Sequence, residues 1–482
     1  MFKVYEQKRF YDEMLDGQHP RKHYGAFYNK LSLMSDKTLE EKNHAAQSSF
    51  LRQGITFTVY GSEGDTERAM PFDFIPIIIP AEKWSFIEKG MKQRVKALNL
   101  FLNDIYTNQQ ILKEGIIPRQ LIEQNQYYYE EVLNAKLPLA NHIFLAGIDL
   151  IRDENGDYFV LEDNLRNPSG MSYVFQNRYV MRKIYPELFG EYSILTLEEQ
   201  LSSLRQCVYD HSPEHVSKHD ATAVLLTAGI YNSAYYDHVF LAKELNVPLV
   251  EGHDLIVKDQ FVYLKTIRGL QRVDIIYRRI DDDFLDPTVF NEESLLGVPG
   301  ILDVYKKGNV SILNAVGNGV ADDKAMYYYV PDMIRYYLNE EPIIPNVTTY
   351  LLNKPDTLTW VLGHMHELVI KNVGASGGYD MLIGPQATED EIQRFKKKII
   401  EAPYQYIAQP TISLSRAPAY QNNRFYPCHV DLRVFVFSGR ESYVLPGGLS
   451  RVALKEGSLV VNSSQGGGGK DTWVLKEEYI DA

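Results

Sequence analysis

The segment that most constrains the fold runs from Ile143 to Asn164, where two short apolar stretches flank the sequence ENGD at 154–157. Asn and Gly tolerate a positive φ angle, so these four residues predict a tight turn between two antiparallel strands. Alternation along the second strand places Glu162 and Asn164 on one face, and Asp149 lies on the partner strand. Oxygen ligands on neighbouring strands are typical of a Mg²⁺ site, because this ion prefers carboxylates and carbonyls. The alternative is a solvated polar face of the sheet.

Positive groups follow this hairpin directly. Arg166, the turn Pro168-Ser169-Gly170 and Arg178 supply guanidinium groups and an anion-binding turn. Carboxylates next to fixed arginines indicate a site for a metal ion and a negatively charged substrate.

A second candidate lies at residues 371–381, KNVGASGGYDM. Lys371 ends a predicted strand, and Gly374, Ser376, Gly377 and Gly378 follow it. Glycines let backbone N–H groups close on phosphate oxygens, while the lysine supplies a point charge. Taken alone, the loop is equally compatible with a simple turn.

Further charged residues stand near the predicted elements of the C-terminal half. Lys324 precedes a predicted helix, Asp431 and Arg433 share one face of a strand, and Arg451 ends another strand. The glycine run at 466–469 is not a P-loop, because the spacing G-x-x-x-x-G-K-[ST] fails there.

Composition excludes several classes of protein. The 482 residues carry a net charge of −13, which argues against a nucleic-acid surface and against binding to anionic membranes. Two cysteines cannot form a disulfide framework, and a cytoplasmic location fits them. We therefore expect no nucleic-acid and no membrane partner.

Two motifs are decoys. Asp282 to Asp286 match the DDxxD of isoprenoid synthases, but they follow a predicted strand instead of lying in a helical bundle. His364 and His366 form a possible metal pair, yet no third ligand lies near them in the sequence.

Together these pieces resemble an ATP-grasp ligase whose motifs stand in a permuted order. A conventional member ends on a G-x-D…E-x-N metal hairpin, whereas here that hairpin, 147–164, comes first. The βαβ unit near 220–286, the lysines, the glycine loop, the D-x-R strand and N-x-x-x-G-G follow it. Moving residues 1 to about 205 to the C-terminus would restore the usual order, a change tolerated where termini lie close together. The chain is thus similar to the circularly permuted ATP-grasp family, of the glutathionylspermidine synthase kind.

The resemblance implies an α/β fold with a circularly permuted ATP-grasp core, a preATP-grasp βαβ domain and a mainly helical N-terminal region. The expected domains are the helical region at 1–140, the permuted metal-binding segment at 141–205, the preATP-grasp domain at 206–340, the lid with its glycine loop at 341–410, and the core sheet at 411–482.

The resemblance also implies an activity, in which an ATP-dependent carboxylate–amine ligase forms an amide through an acyl phosphate and releases ADP and phosphate. The implied roles are Mg²⁺ binding by Asp149, Glu162 and Asn164; ATP binding by Lys324, Lys371, Gly374, Ser376, Gly377, Gly378 and Gln409; and contact of Arg166, Arg433 and Arg451 with the acceptor carboxylate and the acyl phosphate.

The substrates would be a small-molecule or peptide carboxylate and an amine, whose identities stay open, as does the oligomeric state. Asp380 replaces the last glycine of the family's usual GGYGM, so it either weakens ATP binding or points away from the loop. The alternatives on the same fold are a kinase-like phosphoryl transfer and a non-catalytic ATP-binding protein.

Overall fold

The computed structural model describes residues 10–59, 66–374, 380–454 and 467–477. Thirteen α-helices lie in these ranges, and short 3₁₀ turns connect several of them. The helices are α1 (Gly25–Ser32), α2 (Asp36–Arg52), α3 (Ala81–Ile105), α4 (Gln110–Lys113), α5 (Arg119–Glu123), α6 (Met171–Ile184), α7 (Leu188–Glu191), α8 (Glu198–Asp210), α9 (Tyr235–Leu245), α10 (Ile301–Lys306), α11 (Lys324–Leu338), α12 (Pro355–His364) and α13 (Glu389–Glu401).

The same ranges contain strands in six sheets. The strands are β1 (Leu15–Asp16), β2 (His19–Pro20), β3 (Thr56–Val59), β4 (Thr66–Ala69), β5 (Phe72–Ile79), β6 (Leu145–Arg152), β7 (Tyr158–Asn164), β8 (Ala223–Leu226), β9 (Leu249–Val250), β10 (Leu255–Lys258), β11 (Phe261–Thr266), β12 (Gly269–Val273), β13 (Ile275–Arg278), β14 (Ser311–Leu313), β15 (Tyr350–Leu351), β16 (Leu368–Asn372), β17 (Met381–Ile383), β18 (Tyr406–Pro410), β19 (Arg416–Gln421), β20 (Arg424–Ser438), β21 (Ser442–Val444), β22 (Leu449–Val452) and β23 (Gly468–Val474).

The largest sheet has the strand order β5-β23-β22-β20-β6-β7, with β19 and β21 also paired to β20. The predicted hairpin is confirmed: β6 and β7 are antiparallel, and Gly156 in their turn has φ +86°. On its other side β6 pairs with β20, so the early hairpin is hydrogen-bonded to the C-terminal strands. Asp149, Glu162 and Asn164 of the hairpin therefore share one sheet with Arg433 and Arg451 of the C-terminal strands.

The N-terminal region is part of this core. The apolar stretch of β5 lies parallel to β23 at the sheet edge, with all eight residues buried. Helix α3 places apolar residues at three- and four-residue spacing, including Ile87, Met91 and Val95, which are fully buried. The opposite surface of β7 is fixed to α3 by Asp163, whose carboxylate accepts two 2.6 Å hydrogen bonds from Arg94.

The predicted βαβ unit is also confirmed. Strands β14, β13, β8 and β9 form a parallel sheet in that order, and α9 connects β8 to β9. Asn314, just after β14, joins this sheet to the start of β6. Its Oδ1 accepts from the backbone N–H groups of Phe144 and Leu145, and its Nδ2 donates to the carbonyl of Leu165.

A third sheet, in the order β15-β18-β16-β17, is antiparallel and lies with α12 and α13 on a small apolar core of its own. It places Lys371 of β16 beside Ile407 of β18. The domain boundaries expected from the sequence remain predictions. Within the described ranges, no helix is both long enough and apolar enough to cross a membrane.

We expect Arg94→Ala to lower the free energy of unfolding by about 3–5 kcal/mol, because it leaves the buried Asp163 carboxylate without its cation. Urea titration followed by circular dichroism measures this change. Lys92→Ala is the matched control on the same helix: Lys92 forms a half-exposed pair with Glu88, and its loss should cost under about 1 kcal/mol. Equal losses in both variants would contradict a structural role for the buried pair.

Candidate functional site

Asp149 lies at the centre of a buried charge network on the large sheet. Arg433, its cross-strand neighbour on β20, donates from Nε and Nη2 at 2.7 and 2.9 Å. Arg451 on β22 donates from Nη2 at 2.8 Å, and it also pairs with Asp431. Burial alone would raise the pKa of Asp149, but the two guanidinium groups hold it well below its usual range. The carboxylate thus orients both arginines, and its predicted metal role stays a prediction.

Two lysines face Glu162 on the next strand. Glu162 is the cross-strand partner of Asp149. Its carboxylate forms an ion pair with Lys324 at the start of α11, with 2.8 Å between the nitrogen and oxygen atoms. Burial lowers the pKa of Lys371 to about 8, while Glu162 opposes the shift and Lys324 adds to it. The same residues line a narrow cleft. Two cations therefore lie at one carboxylate.

Gln409 lines this cleft from β18. Its buried side chain donates a 3.0 Å hydrogen bond to Thr349 Oγ1. Gly374 follows β16 at the start of the glycine loop, whereas Ser376, Gly377 and Gly378 lie outside the described residues.

The donor set suits Mg²⁺ in part. Asn164 shares the face of Glu162 on β7, and its Oδ1 is the atom that could bind the ion. Its Nδ2, a donor, is buried without a hydrogen-bond partner and needs an acceptor such as a phosphate or water oxygen. Among the described residues, no three His, Cys, Asp or Glu side chains form a metal-binding group. An ion held by Glu162 and Asn164 would take its other ligands from water and phosphate, which is how Mg²⁺ commonly binds. The residues present fit that arrangement.

Arg166 lies at the end of the hairpin, under two restraints. Asp322 accepts from the backbone N–H groups of Leu165 and Arg166, and its carboxylate lies 3.6 Å from Arg166 Nε. The ring of Tyr127 lies 4.3 Å from the guanidinium carbon. The guanidinium group is thus held beside the start of α11.

Tyr127 is a site residue that the sequence analysis did not predict. Its hydroxyl donates to the carbonyl of Gly374 at 3.1 Å, so one side chain contacts both Arg166 and the glycine loop. A Cβ at position 374 would require the end of the flexible Gln126 side chain to move. Tyr127 stands in a tyrosine-rich stretch without a motif, and the contact links residues 247 positions apart.

Asp380 lies on the face of the third sheet that carries Asn372 and Tyr406, opposite the face of Lys371. Its carboxylate accepts from Lys398 at 2.7 Å, Asn372 at 3.0 Å and Tyr406 at 3.1 Å. Its φ of +48° is left-handed, which explains why glycine suits this position and why Asp, which tolerates that region, can replace it. Partial burial opposes the shift, but the hydrogen bond from Lys398 lowers the pKa of Asp380. Asp380 therefore stabilises the lid sheet.

One sequence hypothesis was wrong: Arg178 does not join the carboxylates of the hairpin. It is buried on α6 and pairs with Asp471 at 2.9 Å. Two further charged residues of the rejected motifs also have structural partners. Lys470, after the glycine run, is fully buried and pairs with Asp73, and Asp282 pairs with Arg278 at 2.8 Å.

Comparisons with known proteins identify a family model, relatives and a solved structure that are similar to this chain. The family model for circularly permuted ATP-grasp type 2 proteins matches residues 76–453. An uncharacterized protein of Synechocystis sp. is 47% identical, over 98% of each chain. A Frankia alni protein, named provisionally as glutamate–cysteine ligase 2-3, is 39% identical over 96% of this chain but 54% of its own length. The solved structure of a glutathione synthetase-like effector from Globodera pallida, in apo form, gives a TM-score of 0.56 at 12% identity, covering 92% of this chain and 98% of its own. This likeness shows the fold alone.

We expect Asp149→Asn to destabilise the protein by about 3 kcal/mol or more at pH 7, since it removes the shared anion of the buried Arg451 and the partly buried Arg433. The pKa of Asp149 is depressed in the folded state, so its contribution is present above the unfolded pKa. The contribution is lost as the pH falls, between about pH 5 and pH 1. Urea unfolding of both proteins at pH 7 and pH 4 tests this sign. A stability gap that widens at pH 4 would contradict the assignment, and Asp153→Asn in the exposed hairpin turn is the control.

Proposed function

The chain belongs to the circularly permuted ATP-grasp type 2 family, and from that premise we propose that it is an ATP-dependent carboxylate–amine ligase. The observation that carries the proposal is one continuous face of the large sheet. Lys324 and Lys371 meet Glu162 on one strand, and Arg433 and Arg451 meet Asp149 on the neighbouring strand. A phosphate-binding group thus adjoins a group that can receive a carboxylate.

Amide formation from a carboxylate needs an activated intermediate, because oxide is too poor a leaving group for direct attack by an amine. Transfer of the ATP γ-phosphoryl group to the carboxylate gives an acyl phosphate and ADP. The amine then attacks the acyl carbon, and phosphate leaves with the bonding electrons. Such a reaction asks the protein mainly for positioning and charge neutralisation.

In this proposal the lysines bind the nucleotide. Lys371 and Lys324 bind the α- and β-phosphates, while Gly374 and the loop after it, including Ser376, Gly377 and Gly378, cover the β/γ end. When ATP binds, the ammonium group of Lys324 leaves Glu162 and pairs with a phosphate oxygen instead. Glu162 and Asn164 would then be free to hold Mg²⁺. The bound ion would supply charge neutralisation between the phosphates. Gln409 and its strand lie beside the adenine.

The arginines bind the acceptor carboxylate and the acyl phosphate in this proposal. Arg433 keeps two strong bonds to Asp149, but its Nη1 makes only a long 3.4 Å contact with the carbonyl of Ser169. A substrate carboxylate could replace that contact without breaking the ion pair. In this proposal Arg166 and Arg451 stabilise charge on the acyl phosphate.

The substrate class is a small-molecule or peptide carboxylate with an amine. The provisional name of the Frankia alni relative supports amide formation between amino acids, although this chain spans about half of that protein's length. To test the activity, the protein is incubated with Mg²⁺, ATP and a pool of amino acids, polyamines and peptides.

We expect ADP and phosphate to appear with the pool and the wild-type protein, and to fall at least about 100-fold in Glu162→Gln, since a metal ligand is removed. Nucleotide chromatography resolves the products. AMP and pyrophosphate would contradict the acyl-phosphate route and indicate adenylation. A phosphorylated pool component without an amide would indicate a kinase.

We expect the affinity for Mg²⁺–ATP to fall as the pH rises above about 8, because Lys371 then loses the proton that binds phosphate. The affinity falls and does not rise because the pKa of Lys371 is about 8 in the free protein and bound phosphate would raise it. Calorimetric titration at pH 7.5, 8.5 and 9.5, above the titration range of ATP itself, measures it. Lys371→Arg should bind with little dependence on pH in this range, since Arg stays protonated. An equal pH dependence in both proteins would remove Lys371 from the phosphate site.

A further inference from the structure

A second cavity, of about 560 Å³, lies apart from the nucleotide cleft. Its walls are the end of α3, the segment 132–142, the residues after α10, and the chain before β8. None of the residues assigned above to metal, nucleotide or substrate lines it. His142 reaches it three residues before β6, and the strand from Leu145 to Asp149 adds roughly 13 Å of separation. The cavity is therefore a separate feature of the fold.

The rim of this cavity is positively charged. Lys136 and Lys307 lie on it with His215, whereas Glu214 is the one acid among its described lining residues. Neither lysine forms an ion pair within the described chain, and Lys307 donates to the neutral side chain of Gln260. An excess of positive charge in a protein of net charge −13 favours an anionic ligand.

The floor is aromatic and closely packed. Tyr106 stacks on His142, with ring centroids 5.7 Å apart and planes 18° apart. His142 is 5% exposed, and its Nδ1 is buried without a hydrogen-bond partner. Burial lowers the pKa of His142 to about 4, so the ring is neutral at pH 7. Tyr305 and Val316 complete a floor suited to an apolar body.

We propose that this cavity binds a small organic anion as an effector, with its carboxylate or phosphate between Lys136 and Lys307 and its apolar body on the Tyr106–His142 floor. The volume lies within the range of small-molecule sites. The site is independent of the ligase activity proposed above, because no residue is shared.

One segment of the chain, 316–324, runs from the cavity to the proposed nucleotide cleft. The hydroxyl of Tyr106 donates to the carbonyl of Gly317 at 2.9 Å, next to Val316 in the cavity. The chain then passes Gly319, packed against Arg166, and reaches Lys324. A ligand that shifts this segment alters the cation that binds phosphate. Linkage then requires the ligand and ATP to change each other's affinity by the same factor.

The test uses phenyl phosphate and benzoate as probes, with benzyl alcohol as the uncharged control, in calorimetric titrations of the full chain. We expect saturable binding of at least one anion and not of the alcohol. The double variant Lys136→Ala, Lys307→Ala should bind about tenfold more weakly, since two charge contacts are lost. Lys306→Ala, one residue away and outside the cavity, is the matched control and should bind as the wild type does.

Binding of only one anion identifies the headgroup and supports the proposal. A saturating anion should change the Kd of ATP at least about twofold, with an equal reciprocal change in the anion's Kd. No saturable binding, or equal binding by the double variant, overturns the site. Loss of binding in Lys371→Ala would place the anion in the nucleotide cleft instead. An unchanged Kd for ATP would overturn the effector role.

Discussion

The position of Asp149 between two guanidinium groups is the constraint on which the candidate site depends. β6 comes from the early part of the chain, while Arg433 and Arg451 come from its last quarter. A shift of one residue between β6 and β20 would turn Asp149 to the other face and leave buried charges unpaired. The network therefore requires one register. That register also places Glu162, one strand further, opposite the two lysines.

The N-terminal region takes part in the same arrangement. β5 closes one edge of the large sheet, and Arg94 fixes the back of β7 through Asp163. Tyr127 contacts both Arg166 and the glycine loop. In the proposed mechanism this tyrosine connects Arg166, which stabilises charge on the acyl phosphate, to Gly374 at the start of the glycine loop, so the positions of Arg166 and Gly374 depend on one side chain.

The sequence predicted those features that local pattern determines. The hairpin followed from its turn residues, the parallel sheet from alternating strands and helices, and the family from motifs that kept a permuted order. It did not predict partners that depend on register or distance. The pairing of Asp149 with Arg433 and Arg451 depends on the register between β6 and β20, which the local pattern does not determine. Arg178 was predicted beside the carboxylates of the hairpin, but it pairs with Asp471. β5 contains a proline and was not recognised as a strand.

Oxygen tracing tests the acyl phosphate most directly. The carboxylates of the substrate pool are labelled with ¹⁸O, and phosphate from turnover with unlabelled Mg²⁺–ATP is examined by mass spectrometry. An acyl phosphate passes one carboxylate oxygen to the phosphoryl group when the amine displaces it, so we expect one ¹⁸O in each phosphate released. Amide formation with ¹⁸O in AMP, or with unlabelled phosphate, would contradict the account.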